Sequence, residues 1–300
     1  MLFKIALILA AFYTIYNKVF VAQNSISFNL IDNFTTSQLS LIVLLMLILS
    51  TLNWLLEFYK WKVLVSSIDQ ISFFDSMQQC LTAHTAALIT PFKMGEFGFK
   101  AMFYEPKNLS KILYLNFLGN GSQLLTTIIF GFLGWYFYPN SLQSIAGNSY
   151  NSKDQFIMMF LTVIILIFGF GLIRNRFVFW KNIPVSVHFK NIGLALLRFL
   201  IFSHQFLFLL YLINPDLDYF NTISAIFSMY FLAALIPTFA ILDWAIKGSI
   251  AIFLLGILGF QAQEILLISL LMWIFNFALP ALSGSYFMFT FTQNKILINE

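Results

Sequence analysis

Charge is nearly missing from this chain: Asp, Glu, Lys and Arg together make up 9% of its 300 residues. A soluble domain carries roughly 25%, because its surface must stay wet. With 60% hydrophobic residues and a mean hydropathy of +0.86, the chain reads as an integral membrane protein. Cysteine is also scarce. Cys80 stands alone, which rules out an intrachain disulfide and a cysteine-based metal site. The three histidines, His84, His188 and His204, follow no H-x-x-E-H or H-x-x-x-H spacing, so neither a metal nor any other cofactor is expected. No Walker A sequence is present, so ATP is not the expected energy source. Missing too is the alternating polarity, in segments of roughly ten residues, that a transmembrane β-barrel needs. Runs such as Leu39–Leu52 and Phe156–Ile173 are apolar all round, and helices are the reading.

The charges that do occur are mostly basic, giving a net charge of +4 and a pI near 9.0. Most Lys and Arg fall in short loops at one membrane face, as the positive-inside rule expects. No basic patch interleaved with aromatics is left over, so a nucleic-acid partner is not expected.

Helix-length apolar segments lie near 3–22, 39–59, 112–138, 155–173, 192–213 and 265–290. The first resembles a signal peptide, with Lys4 before an apolar stretch. It is long enough to span, contains Lys18 and lacks a convincing A-x-A site, so it is read as a retained helix. The loops at about 139–154 and 174–191 are too short to fold independently. One membrane domain, 1–300, is the expectation.

Lys4 placed inside puts 23–38, without Lys or Arg, outside, and Lys60 and Lys62 back inside. Lys93, Lys100, Lys107 and Lys111 follow with no full-length span between. Residues 77–91 make only about four helical turns, too short for a bilayer core of roughly 30 Å. They are read as the descending arm of a re-entrant hairpin, about 77–105, that turns at Pro91. The charge pattern then calls for a second hairpin at about 222–259, broken near Pro237 and entering from the opposite face. Two full spans are the rival reading of that stretch. Both termini are expected in the cytoplasm. The fold class is therefore an all-α polytopic membrane protein, with about six full transmembrane helices plus two proline-broken hairpins in an inverted-repeat arrangement.

The two breaks share a pattern. Ala86-Ala87-Leu88-Ile89-Thr90-Pro91 is followed by Glu96 and Lys100; Ala233-Ala234-Leu235-Ile236-Pro237 is followed by Asp243 and Lys247. Each acid and lysine are i and i+4, hence on one helical face in the favourable order. A charge in a bilayer costs about 2.5–3.5 kcal/mol on insertion scales, so a repeated pair marks a buried site between related halves. Broken helices of inverted repeats meet near the midplane and form substrate sites there. The alternative is that both prolines are ordinary kinks and that Lys100 lies at the cytoplasmic surface.

Three further polar stripes lie on spans. Asn53, Glu57 and Lys60 share one face; Asn116, Asn120, Gln123 and Thr127 share another; Arg198 precedes Gln205 by seven residues, with His204 adjacent. Such stripes face the bundle interior, as packing glue or as the lining of a path. Arg198 is also close enough to the cytoplasmic end to snorkel to phosphates.

The stretch Thr90-Pro91-Phe92-Lys93-Met94-Gly95-Glu96 resembles a proline–glycine–acid signature of the lysylphosphatidylglycerol synthase transmembrane, or flippase-like, membrane-domain family. Pro237 through Asp243, with Ile246-Lys247-Gly248 after it, is similar to the family's second signature. Trp61-Lys62 and Leu197-Arg198-Phe199 fit as well. Where that family often carries an acid–arginine pair, this chain has Asn120 and Gln123, and Ala240 and Leu242 replace glycines of the second signature. The resemblance implies a multi-pass inner-membrane protein related to the part that moves modified lipids across the bilayer, without the soluble aminoacyl-transferase domain.

The expected function is a flippase-like transporter that moves the headgroup of a phospholipid or a polyprenyl-linked lipid through a polar cleft between the hairpins. Glu96, Lys100, Asp243, Lys247, Asn120, Gln123 and Arg198 are the candidate headgroup ligands, and Pro91, Gly95 and Pro237 the hinges. Membrane lipids are the expected partners, with envelope-lipid synthesis enzymes as candidates. The alternatives are a membrane-embedded glycosyl- or aminoacyl-transferase, for which Asp216 and Asp218 supply the D-x-D, or a non-transporting partner of an envelope-lipid synthesis complex.

Overall fold

A computed structural model describes residues 35–90, 94–138, 183–236 and 242–290. The expected spans at 3–22 and 155–173, both termini, and the hinge prolines Pro91 and Pro237 lie outside the described residues.

Every regular element among the described residues is helical. Helix α1 covers Thr36–Val65, and α2, Phe73–Ile89, and α3, Met94–Met102, form the first hairpin. A 3₁₀ turn, Pro106–Asn108, leads into α4, Leu109–Phe137. Helix α5 covers Val185–Ile213, and α6, Tyr219–Ala234, and α7, Asp243–Ile257, form the second hairpin. The last span is α8, Ala262–Trp273, a π-turn at Ile274–Ala278, and α9, Leu279–Thr290.

Local capping sets several of these boundaries and lengthens the helices beyond their apolar runs. Before α1, the Thr35 amide donates to Gln38 Oε1 at 2.8 Å and the Thr35 hydroxyl accepts from the Gln38 amide at 3.4 Å. Ser72 and Asp75 form the same reciprocal box before α2, which starts the first hairpin at residue 73 rather than 77. Each box satisfies amides that the first turn leaves free. Asp218 caps α6 by accepting the Asn221 amide at 3.2 Å. Gly259, at φ +91°, closes α7 in the left-handed conformation that glycine adopts without cost, with Phe260 N donating to Leu255 O at 3.3 Å.

Among the described residues, four units are long and apolar enough to cross a membrane: Thr36–Val65, Pro106–Phe137, Val185–Ile213 and Ala262–Thr290. At 1.5 Å per residue each is longer than a bilayer core of about 30 Å. The hairpin arms are shorter, at 17 and 9 residues in the first and 16 and 15 in the second. Large apolar side chains on the outer face of α1, Leu41, Leu44, Leu47, Ile48 and Leu52 among them, are exposed, as lipid contact requires.

The packing is reciprocal between the two halves. Helices α1 and α5 pack against each other, α3 packs on α4, and α7 packs on α8. The entering arm of each hairpin lies along the other half's last span: α2 along α9, and α6 along α4. Both crossings are closer than a side chain allows. A Cβ on Gly284 would sit 2.1 Å from Leu81 O, and one on Gly134 would sit 2.5 Å from Ser224 O. Small residues at membrane helix crossings let the backbones reach van der Waals contact.

The last span departs from the regular helix expected over 265–290. Leu279 N donates to Ile274 O, an i→i+5 bond, and Pro280 brings no amide to the ladder. Phe275 O and Asn276 O, which lose their i+4 donors at Leu279 and Pro280, are taken by α1, and further carbonyls of the span are met by α2. Ser50 Oγ donates to Phe275 O at 2.5 Å and Trp54 Nε1 to Asn276 O at 3.1 Å, both from α1. From α2, His84 Nε2 meets Phe277 O at 3.1 Å and Thr85 Oγ1 donates to Ala281 O at 2.8 Å. Since a carbonyl only accepts, Nε2 carries the His84 proton. Broken backbone at membrane depth is thus satisfied by protein, as lipid surroundings demand.

Candidate functional site

Where the broken elements converge, the molecule holds a partly open cavity of about 640 Å³. All seven candidate headgroup ligands line it: Glu96 and Lys100 from α3, Asn120 and Gln123 from α4, Arg198 from α5, Asp243 and Lys247 from α7. They come from four elements spread over about 150 residues of chain, and the fold alone brings them together.

Each acid occupies the first turn of a returning arm, Glu96 in α3 and Asp243 in α7. A helix N-terminus favours an anion, which lowers the cost of placing a carboxylate there. One turn later the lysine folds back on the acid: Lys100 Nζ lies 3.0 Å from Glu96 Oε1, and Lys247 Nζ 2.5 Å from Asp243 Oδ2.

The two pairs differ in surroundings. Lys100 is only 2% exposed; it also donates to Asn116 Oδ1 at 2.9 Å and sits 4.3 Å over the Trp61 ring. The surface alternative for Lys100 is therefore ruled out by its burial. Asn120 Nδ2 donates to Glu96 Oε1 at 3.3 Å, so part of the α4 stripe serves the first pair directly. Lys247 is one-third exposed and lies 5.6 Å over the Tyr230 ring, with its ammonium on the cavity side of α7. Both ammonium groups thus use an aromatic face as well as a carboxylate.

Gly95, a predicted hinge, lies in the first turn of α3. Its amide donates to Thr90 Oγ1 at 2.8 Å, and that hydroxyl donates to Ala86 O at 2.9 Å. A Cβ here would sit 2.4 Å from Ala86 O, so only glycine lets the returning arm start this close to the entering one.

Arg198 turns inward rather than toward a membrane face. Its Nη1 donates to Glu57 Oε2, and its Nε lies 3.2 Å from Asn53 O and 3.1 Å from Asn53 Oδ1. Glu57 also pairs with Lys60 at 2.7 Å, and Lys60 is 1% exposed. One carboxylate therefore serves two cations. The α1 stripe of Asn53, Glu57 and Lys60 is a charge network at the cavity wall, with Asn53 and Glu57 lining it directly.

Asn276, in the π-turn, is a lining residue that the sequence reading passed over. Its Nδ2 donates to Gln205 Oε1 at 2.9 Å, and its Oδ1 accepts from Asn53 Nδ2 at 3.3 Å. It ties α1, α5 and the last span together at the cavity wall. A lone amide four residues before a proline, in an otherwise apolar run, was the available signal. His84, Tyr230 and Ser269 also line the cavity and were not selected. Of the D-x-D acids, the Asp218 side chain caps α6, while Asp216 bonds through its backbone amide, which donates to Asn214 Oδ1 at 3.2 Å. Among the described residues, no group of three His, Cys, Asp or Glu gathers as a metal site.

No family model, curated protein or solved structure matches the chain.

Proposed function

We propose that the chain is a membrane transporter of the flippase-like kind, taking a lipid headgroup into the cavity between the two hairpins while the acyl chains stay in the bilayer. One observation carries this reading. Seven polar or charged side chains from α3, α4, α5 and α7 converge on a single cavity of about 640 Å³ in a molecule whose long helices are membrane-length. That volume lies in the range of small-molecule sites, about 300–1,000 Å³. Ionisable groups at membrane depth are expensive and mark substrate paths.

The reciprocal packing of α2 on α9 and α6 on α4 supports an inverted-repeat reading with the hairpins entering from opposite faces, and the distribution of Lys and Arg supports both termini in the cytoplasm. The short arms support re-entrant hairpins. The relation to the lysylphosphatidylglycerol synthase transmembrane family rests on the motif resemblances alone. An inner-membrane location and an envelope-lipid substrate follow from that relation and form part of the proposal.

The test is headgroup translocation of labelled phospholipids in liposomes holding the purified protein. Wild type is expected to translocate, and a folded Glu96→Gln, Asp243→Asn double variant is expected to lose at least nine-tenths of the rate. Equal rates for the two proteins would overturn the paired-hairpin site. No translocation of any common lipid class by wild type would overturn the transport reading itself.

A further inference from the structure

Among the described residues, the charges at the cavity do not balance. Its wall and the network behind it hold four cations, Lys60, Lys100, Arg198 and Lys247, against three carboxylates, Glu57, Glu96 and Asp243. The two hairpin pairs are neutral. The surplus arises at Glu57, whose single charge is shared by Lys60 and Arg198. One positive charge is thus left without a counter-ion among the described residues, at a depth where water does not supply one cheaply.

The spare hydrogen-bonding capacity faces the same cavity. Lys60 is fully buried and also reaches toward Gly119 O at 3.5 Å, and Lys100 is held by a carboxylate and an amide oxygen. Arg198, by contrast, commits Nε and Nη1 to Asn53 and Glu57 and has no described partner for its Nη2 group. Lys247 commits one of its three N–H donors, to Asp243. Ser269, 4% exposed and lining the cavity, has no partner for its hydroxyl. A guanidinium edge, an ammonium and a hydroxyl are the donors a phosphate oxygen takes.

We propose that the cavity selects a headgroup whose phosphate carries one uncompensated negative charge, such as a phosphodiester with a neutral polyol, and that Arg198 is its principal ligand, assisted by Lys247. A zwitterionic headgroup brings its own ammonium and leaves the surplus charge in place. The choice of a lipid over a free anion rests on the transport reading above.

Selectivity can be read by binding alone, apart from transport. Trp54, Trp244 and Trp273 line the cavity, so tryptophan fluorescence of the full chain in neutral detergent reports occupancy. Dihexanoyl phosphatidylglycerol is expected to bind at least tenfold tighter than dihexanoyl phosphatidylcholine. Arg198→Gln leaves Glu57 paired with Lys60 and the site neutral, and is expected to bring the ratio within twofold. Lys247→Gln, which changes a partly exposed position, serves as a second variant and is expected to lower the ratio at least threefold. Equal affinity of wild type for both lipids, or a full preference in both variants, would overturn the proposal. Inorganic phosphate displacing the lipid at comparable concentration, with the same Arg198 dependence, would overturn the lipid source. Selective binding without translocation would support the headgroup assignment while sinking the transport reading.

Discussion

Glu57 holds two buried cations at once, Lys60 and Arg198, and no other carboxylate among the described residues is within ion-pair reach of either. Removing one partner of a buried ionic group leaves an uncompensated charge and typically costs about 3–5 kcal/mol. Glu57→Gln strands two, so its thermal unfolding midpoint in detergent is expected to fall well below that of wild type. Glu105→Gln is the control. Its pair with Lys107 is largely exposed, with side chains 56% and 77% accessible, and such pairs contribute about 0–1 kcal/mol. A midpoint for Glu57→Gln as close to wild type as that of Glu105→Gln would show that the shared carboxylate is dispensable.

Among the elements, the last span has the least regular backbone. Its carbonyls take donors from α1 and α2, and a buried hydrogen bond lost from one side costs about 1–3 kcal/mol. Thr85→Val is expected to destabilise by that amount. Gly284→Ala, which forces a methyl against the backbone of α2, is expected to cost about 1–3 kcal/mol by overpacking. Unfolding midpoints of the two variants and their double test both, and an unchanged midpoint for Gly284→Ala would refute the close crossing. This part of the fold was only half legible in the sequence. Pro280 and Asn276 stood out in an apolar run, yet nothing local said that Ser50 and Trp54, more than 200 positions away, would supply the missing donors. The hairpins were legible because in each a proline is followed by an acid and a lysine four residues apart, whereas the helix starts set by the Thr35 and Ser72 boxes lie ahead of the apolar runs that the sequence reading followed. Their convergence on one cavity was an inference from repetition. The sharing of Glu57 between Lys60 and Arg198 was not legible, because it depends on how α1 and α5 face each other.

At the scale of the molecule, the first arm of each hairpin packs most extensively on a long helix from the other half of the chain. The entering arm α2 rests on α9 and α6 rests on α4, so the halves clasp each other. Severing the chain between Ala146 and Gly147, in the loop predicted at 139–154, is therefore expected to leave two fragments that co-purify when co-expressed. Each alone is expected to aggregate or be degraded. Independent stability of either fragment, without association, would show that the reciprocal contacts are not what holds the protein together.

The same clasp sets an order of events during synthesis. Helix α2 leaves the ribosome early, carrying His84 and Thr85, whose partners Phe277 O and Ala281 O on the last span are made nearly 200 residues later. Until that last span arrives, His84 and Thr85 have neither their partners across the crossing nor water, and contacts this distant in sequence form slowly. The hairpin that is written first is the one that finishes last, and the newborn chain spends most of its insertion with those side chains in temporary custody, whether of lipid headgroups, of other helices or of the insertion machinery.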